Sequence, residues 1–513
     1  MRALEEMRAR AAELRDLERI GALLRWDQRV NLPPGGAEAR ARQSQRLTAL
    51  HHAHLIDPEL GELIEVLSAA EGLSPADRAG VERFRHHRDQ ATRVPARLVD
   101  ELALATSLGY SAWEAARPGD DWEAFAPHLE RIVELRREEA EALGYPDEPY
   151  DAMLDHFEEG ATVATVEPML RELAASLRPL LDRVLGSGVD PGHIPPGPYP
   201  REAQLRYATE LSARLGYDLH HGRVDVSAHP FETSLGPGDV RITTRFFEDD
   251  FTRGLLGTAH ETGHALYEQG LPADLADSYA GVAPSLAAHE SQSRLWENHV
   301  CRSLAFLEGE LPHLRRHLPA LAGISATAIF RAANRVQPSL IRVEADEVTY
   351  PLHIVVRFDV ELALMRREIG VRDMPEAFAA AMRRHLGIVP PDRRDGVMQD
   401  SHWGQGYIGY FPTYAMGSVY AAALFERLTA ALGGPDAVAG AFRRGEFGEI
   451  LAWLRRNFHA LASTVRTPEL LERAAGLPAG APIDTAPFLR HLTRRTAEVY
   501  GLGQPPVGAD ESC

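Results

Sequence analysis

The sequence predicts a mainly α-helical fold with one small β-ribbon. Apolar residues recur every three or four positions through most of the 513 residues, only two short stretches alternate with period two, and Gly/Pro breaks fall in a few places. Helical spacing runs from Ala3 to Leu24 and stops at Asn31-Leu-Pro-Pro-Gly-Gly36. It resumes at Ala37–His54, Pro75–Gln90, Pro95–Ala116, Trp122–Leu143 and Val166–Leu185. Gly186–Pro200 (GSGVDPGHIPPGPYP) is expected to be a long surface loop, because helical patterning returns directly after it. Arg223–His229 and Asp239–Arg245 alternate, are rich in β-branched residues, and predict the ribbon. Further helices are expected at Asp249–Gln269, Ala283–Glu308, Ala326–Asn334, Val343–Ile369 and Pro375–Leu386. A Gly-, Pro- and aromatic-rich loop is expected at Gly387–Gly409, then helices to the end and a flexible tail over 501–513.

Composition excludes several chemistries. The chain has 55 basic residues against 74 acidic ones, a net charge of −19, and every basic residue is Arg. Without Lys, a Schiff-base or pyridoxal-phosphate enzyme, a P-loop NTPase and a protein kinase are excluded in their usual forms. The acidic balance argues against a nucleic-acid partner. Only Cys301 and Cys513 are present, so a disulfide framework is not expected and a reducing compartment is. The N-terminus has no apolar core of a signal peptide, and no apolar run approaches ~18 residues. A cytoplasmic protein without a membrane span is expected.

The sharpest motif is His260-Glu-Thr-Gly-His264 within a helical pattern. Imidazoles at i and i+4 share a helix face and can converge on one Zn²⁺, while Glu261 sits beside them to take a proton from activated water. On the next helical stretch Glu290 is the expected third ligand, with Glu297 its rival and Arg294 one turn away to orient the carboxylate. Amide hydrolysis also needs donors for an oxyanion. The segment Gln399–Tyr414 offers His402 with Tyr407, Tyr410 and Tyr414 in a Gly-rich loop. Arg342, in Ile341-Arg-Val-Glu-Ala-Asp346, and Arg241, in Asp239-Val-Arg-Ile-Thr243, can each clamp a carboxylate through two N–H groups.

Taken together, these strings resemble the carboxypeptidase Taq family of zinc metallocarboxypeptidases, whose ordered motifs are HPF, DxRxT, HExxH, HESQ, IRxxAD and GxxQDxHW. This chain has His229-Pro-Phe231, Asp239–Thr243, His260–His264, His289-Glu-Ser-Gln292, Ile341–Asp346 and Gly396–Trp403, with further likeness at Trp26-Asp-Gln28, Pro33–Ala37 and Tyr150-Asp-Ala152. The resemblance implies one catalytic domain over residues 1–500, a helical half of about 1–200 and a zinc-site half of about 201–500 around a deep cleft, as a homodimer. It implies release of C-terminal residues from peptides with a free C-terminus, with broad specificity and poor action on proline. One zinc per subunit, or cobalt or another divalent ion, would be held by His260, His264 and Glu290. Glu261 would act as general base, with His402 and Tyr410 stabilising the oxyanion. Arg241, Arg342, Tyr407 and Tyr414 would hold substrate, with Asp239 and Arg294 standing behind the site and Arg294 orienting Glu290. Two alternatives stand beside this reading: an oligo-endopeptidase with the same helix but an open cleft, and a catalytically silent helical metal-binding protein.

Overall fold

The computed structural model describes residues 2–480 and 482–502; residues 503–513 of the expected tail, with Cys513, lie outside them. In chain order come α1 (Arg2–Val30), α2 (Ala37–Leu55), α3 (Pro58–Ser68), α4 (Pro75–Arg93), α5 (Ala96–Ala116), α6 (Trp122–Leu143), α7 (Pro149–Asp155) and α8 (Val163–Gly186). Residues 188–200 contain neither helix nor strand, as their composition predicts. After α9 (Arg201–Leu215) come β1 (Gly222–Val226), β2 (Phe231–Ser234) and β3 (Val240–Thr244). The rest is α10 (Phe251–Glu268), α11 (Leu286–Arg294), α12 (Leu304–His317), α13 (Ala326–Ala333), α14 (Thr349–Met365), α15 (Met374–Leu386), α16 (Pro412–Ala431), α17 (Pro435–Arg444), α18 (Gly448–Asn457), α19 (Thr467–Ala475) and α20 (Ala486–Tyr500). No described helix is long and apolar enough to cross a membrane.

The chain packs as two compact units, each assembled from separated segments. Unit 1 takes residues up to Arg93, Ile194–Thr327 and Leu424–Gly480; unit 2 takes Val94–His193, Ala328–Ala423 and the described residues from 482 onward. In unit 1 the apolar faces of α1, α3 and α4 share a core of Met7, Leu14, Leu60, Ile64 and Phe84, on which Tyr279 stacks. Helix α10 lies in the same unit against α9, α11, β2 and β3. In unit 2, α14 packs on α8 and α15, and α5 on α6.

The expected small β element is present with one more strand than the two read from the sequence, and two helix limits need correction. The ribbon is a three-stranded sheet of order β1-β3-β2, with β1 parallel and β2 antiparallel to β3. The two predicted strands do pair, but in parallel, and β2 is a third. At four residues, half-buried throughout, β2 has no alternation to reveal it. Thr243 anchors it: its Oγ1 accepts from Phe231 N at 3.0 Å and lies 2.7 Å from Ser227 Oγ.

The single helix expected at Ala283–Glu308 is broken. α11 passes into a π-helical turn at Leu295–Cys301, and Ser303 then starts α12, its hydroxyl accepting from Phe306 N. The helix expected from Val343 begins six residues later. Asp346 Oδ1 accepts from Val348 N at 2.9 Å and Thr349 N at 3.1 Å, so the motif aspartate caps α14 instead of joining it.

Candidate metal centre and its surroundings

The sequence of α10 places His260 and His264 one turn apart on a helix of unit 1, and Ser285 caps α11 so that Glu290 lies on the neighbouring helix. Gly263 decides how close these helices come. A Cβ there would meet Gln292 O at 2.6 Å and Ser293 Cα at 2.7 Å, so the α11 backbone occupies the space a side chain would need. The result is a convergence of three donors. Glu290 Oε2 lies 3.6 Å from His260 Nε2 and 3.3 Å from His264 Nε2, and one ligand atom from each residue falls within 4.8 Å of the other two. Two imidazoles and a carboxylate on a protected helix face are a donor set suited to a divalent cation, so the residues present fit a metal. Gly263→Ala is expected to cost about 1–3 kcal/mol through overpacking and to weaken metal binding by separating Glu290 from the histidines. Thermal melting and chelator competition would measure the two effects, and unchanged metal affinity would contradict the spacing argument.

Electrostatics support the same arrangement. Burial and the neighbouring His289 push His264 down to about 3, which leaves its ring neutral, the form that binds metals. Burial opposes ionisation of Glu290, but Arg294, His260 and His264 together hold its carboxyl well below the usual range. Arg294 Nε donates to Glu290 Oε1 at 2.6 Å. Glu261 is 6% exposed; burial pushes its carboxyl up to about 7, Glu290 and Glu297 adding to the rise and His260 opposing it.

Glu297 lies on the Nδ1 side of His260, outside the His260–His264–Glu290 group. Its Oε2 lies 2.9 Å from His260 Nδ1, and Arg302 and Arg294 donate to it at 3.1 and 3.3 Å. A carboxylate on Nδ1 fixes the tautomer that leaves Nε2 free on the Glu290 side. Behind His264, the His289 ring stacks at 4.5 Å, and its Nε2 is 3.0 Å from Glu268 Oε1. Desolvation and the nearby charges of Glu268 and Glu261 raise the carboxyl of Glu232, half-buried in β2, well above the ordinary value. Sequence reasoning missed Glu232 and Glu268, since neither lies in one of the ordered motifs.

Arg241, also in unit 1, is held by Asp239, with Nε–Oδ1 at 2.8 Å and Nη2–Oδ2 at 2.7 Å, and lies over the Trp26 ring at 4.3 Å. Asp239 thus closes one edge of the guanidinium and leaves the end-on edge for another acceptor.

The remaining candidates belong to unit 2. His402, Tyr407, Tyr410 and Tyr414 form one aromatic group: His402 is 5.4 Å from Tyr410 between centroids, Tyr407 stacks on Tyr410 at 5.7 Å, and His402 Nε2 is 3.4 Å from Tyr414 Oη. Tyr407 is 40% exposed. Burial pushes His402 down to about 3, Arg342 and Arg357 adding to the effect of burial and Asp400 opposing it, so its ring is neutral.

Arg342 requires a correction. It is 4% exposed; its Nε and Nη2 donate to Asp400 Oδ1 at 3.1 and 2.7 Å, and Nη1 to Tyr350 Oη at 2.9 Å. The fork expected to clamp a substrate carboxylate is already closed by Asp400 of the Gln399-Asp400 motif. Arg357 grips the other oxygen of Asp400 at 2.7 Å through Nε, giving a buried Arg–Asp–Arg group. Sequence reasoning missed Arg357 and Glu361. One signal was present: His353, Arg357 and Glu361 recur every four residues in a helix otherwise almost wholly apolar, and all three are fully buried.

The fold and the donor set together define a helical, metal-dependent hydrolase, and the comparisons with known proteins name its family. The sequence model of the carboxypeptidase Taq (M32) metallopeptidase family matches residues 6–496. Thermostable carboxypeptidase 1 of Thermus thermophilus is 47% identical over 499 residues, covering 94% of this chain and 96% of that protein. Thermostable carboxypeptidase 1 of Pyrococcus furiosus is 40% identical over 460 residues, 89% of this chain and 91% of that one. The crystal structure of an M32 carboxypeptidase from Deinococcus radiodurans superposes with a TM-score of 0.93 at 38% identity, covering 98% of this chain and 100% of that one. The chain belongs to the carboxypeptidase Taq (M32) metallopeptidase family. It is a metal-dependent carboxypeptidase, a peptide hydrolase that uses a divalent metal.

Proposed function

We propose that this chain removes single residues from the C-terminus of peptides with a zinc ion held by His260, His264 and Glu290, one per subunit. The observation that carries this reading is the convergence of His260 Nε2, His264 Nε2 and Glu290 Oε2 on one point beside Glu261. Held by those three residues, a divalent cation would supply Lewis acidity toward a peptide carbonyl and toward water; cobalt or another divalent ion suits the same donors.

The chain's own residues do the rest. Glu261 accepts the proton of the attacking water and passes it to the departing amine, from a buried position directly after His260 on α10. Glu297 and Arg294 keep His260 and Glu290 oriented. His402 and Tyr410 donate to the oxyanion, a role supported by the family resemblance and by the neutral ring of His402. The terminal carboxylate is met by Arg241 through the edge Asp239 leaves open; a substrate-holding role for Tyr407 and Tyr414 follows the family resemblance. Broad residue preference with poor release of proline, and a homodimer, follow the family resemblance. The single described cysteine, free and buried, fits a reducing cytoplasm.

One peptide offered with a free and with an amidated C-terminus tests the reading. Stepwise release of amino acids from the free form and none from the amidated form is expected. Internal cuts in both would establish an endopeptidase instead.

A further inference from the structure

Three donors from separate parts of unit 2 meet on one carboxylate, that of Glu361 in α14. Tyr150 Oη of α7 donates to Oε2 at 2.6 Å, the backbone N–H of Gly409 donates to the same oxygen at 3.0 Å, and Trp403 Nε1 donates to Oε1 at 2.7 Å. Tyr150 and Trp403 are motif residues for which neither metal binding nor proton transfer has a use. Glu361 and Tyr150 are 0% exposed and Trp403 is 2% exposed. Burial pushes the Glu361 carboxyl up to about 7 although all three donors and Arg357 pull it down. A buried acid of this kind is weak evidence for stability, since an apolar side chain of similar size fills such a place at least as well. What it supplies is geometry.

The two latched points of the loop explain which geometry. His402 directly precedes Trp403, and Tyr410 directly follows Gly409. Gly409 has φ 88°, and a Cβ there would lie 2.6 Å from the carbonyl carbon and oxygen of Met153, so the loop backbone rests on α7 at the second point. Glu361 therefore fixes the neighbours of both rings, whose centroids are 5.4 Å apart. On the other side of His402, Asp400 is fixed by Arg342 and Arg357.

We propose that Glu361 is a positioning residue: its carboxylate, latched to Tyr150, Trp403 and Gly409, sets the spacing of His402 and Tyr410 as donors to the reaction. This inference rests on the reading of His402 and Tyr410 as oxyanion donors given above. It is tested by kcat, KM and metal content of Glu361→Gln, His402→Ala and the double variant, each metal-loaded, on a free-ended peptide. Gln keeps the shape but turns an amide N–H₂ toward one of the three donors. Glu361→Gln is expected to lower kcat by about 10- to 100-fold, with KM within about 3-fold and full metal content. Added to His402→Ala, it is expected to cause a much smaller further loss, the part carried by Tyr410.

The proposal is overturned if folded Glu361→Gln keeps the parental kcat, or if it lowers kcat by the same factor with and without His402. A parental kcat in His402→Ala overturns the oxyanion reading, and this inference with it. Should Glu361→Gln fail to fold, Tyr150→Phe removes one donor hydroxyl alone. A kcat loss of a few-fold that shrinks in the His402→Ala background then supports the latch, and an undiminished loss there overturns it.

Discussion

Glu261→Gln is expected to leave the protein folded and its metal bound while lowering kcat by roughly 10²- to 10⁴-fold. The substitution keeps size and hydrogen-bonding shape but removes the only group proposed to accept the proton of the attacking water. Glu261 follows His260 directly on α10, so it sits beside the proposed ligands without being one of them. The residue is 6% exposed, shielded from bulk water. Because Gln cannot take that proton at any pH, the loss should persist across the pH range. Elemental analysis beside kcat at saturating peptide checks both halves. Full metal with full turnover would remove Glu261 from its role.

The second large effect concerns stability. Asp400→Asn is expected to destabilise unit 2 by about 3–5 kcal/mol, because two buried guanidiniums lose the charge they share. Arg342 and Arg357 both end on Asp400, whose side chain is 8% exposed, while that of Arg357 is fully buried. Burial opposes ionisation of Asp400, yet the two arginines hold its carboxyl far below the ordinary aspartate range. The sign of the pH dependence follows. The folded carboxyl stays ionised to lower pH than the unfolded one, so its stabilisation is complete above about 3.9 and is lost as pH falls below that value. Asp400→Asn should flatten this acid limb as well as lower the melting temperature. His402 lies two residues further on, so the same change should also lower kcat. A variant that melts and titrates like its parent would contradict the assignment.

How far the sequence could be read depends on the range of each interaction. His260, His264 and Glu290 were legible because helical spacing alone puts the first two on one face and offers the third on the next helix. The ends of α2, α6 and α15 fall close to their predicted limits because period and local breakers decide them. What failed was non-local. Nothing near Arg342 in sequence shows that an aspartate 58 residues away closes its fork, so it read as a free clamp. Glu297 read as a competitor for the metal because both its possible roles put a carboxylate beside His260; only the 2.9 Å contact to Nδ1 separates them. β2 is too short for a period, and the π-helical turn after α11 leaves no compositional mark. Glu361 carried a readable anomaly, a charge inside an apolar helix, but its three partners are 211, 42 and 48 residues away.

The missing lysines also gain meaning. A carboxypeptidase without lysine has no side-chain ammonium for the substrate's terminal carboxylate. With Arg342 committed to Asp400, Arg241 carries that role in the proposed mechanism.

The proposed chemistry turns on one centre, and one measurement reaches it directly: metal stoichiometry and release of amino acids from a free-ended peptide, determined on the same samples of the parent chain and of Glu290→Ala. One divalent ion per chain is expected in the active parent, and neither bound metal nor release in the variant. A Glu290→Ala protein that keeps both its metal and its activity would contradict the assignment of the centre.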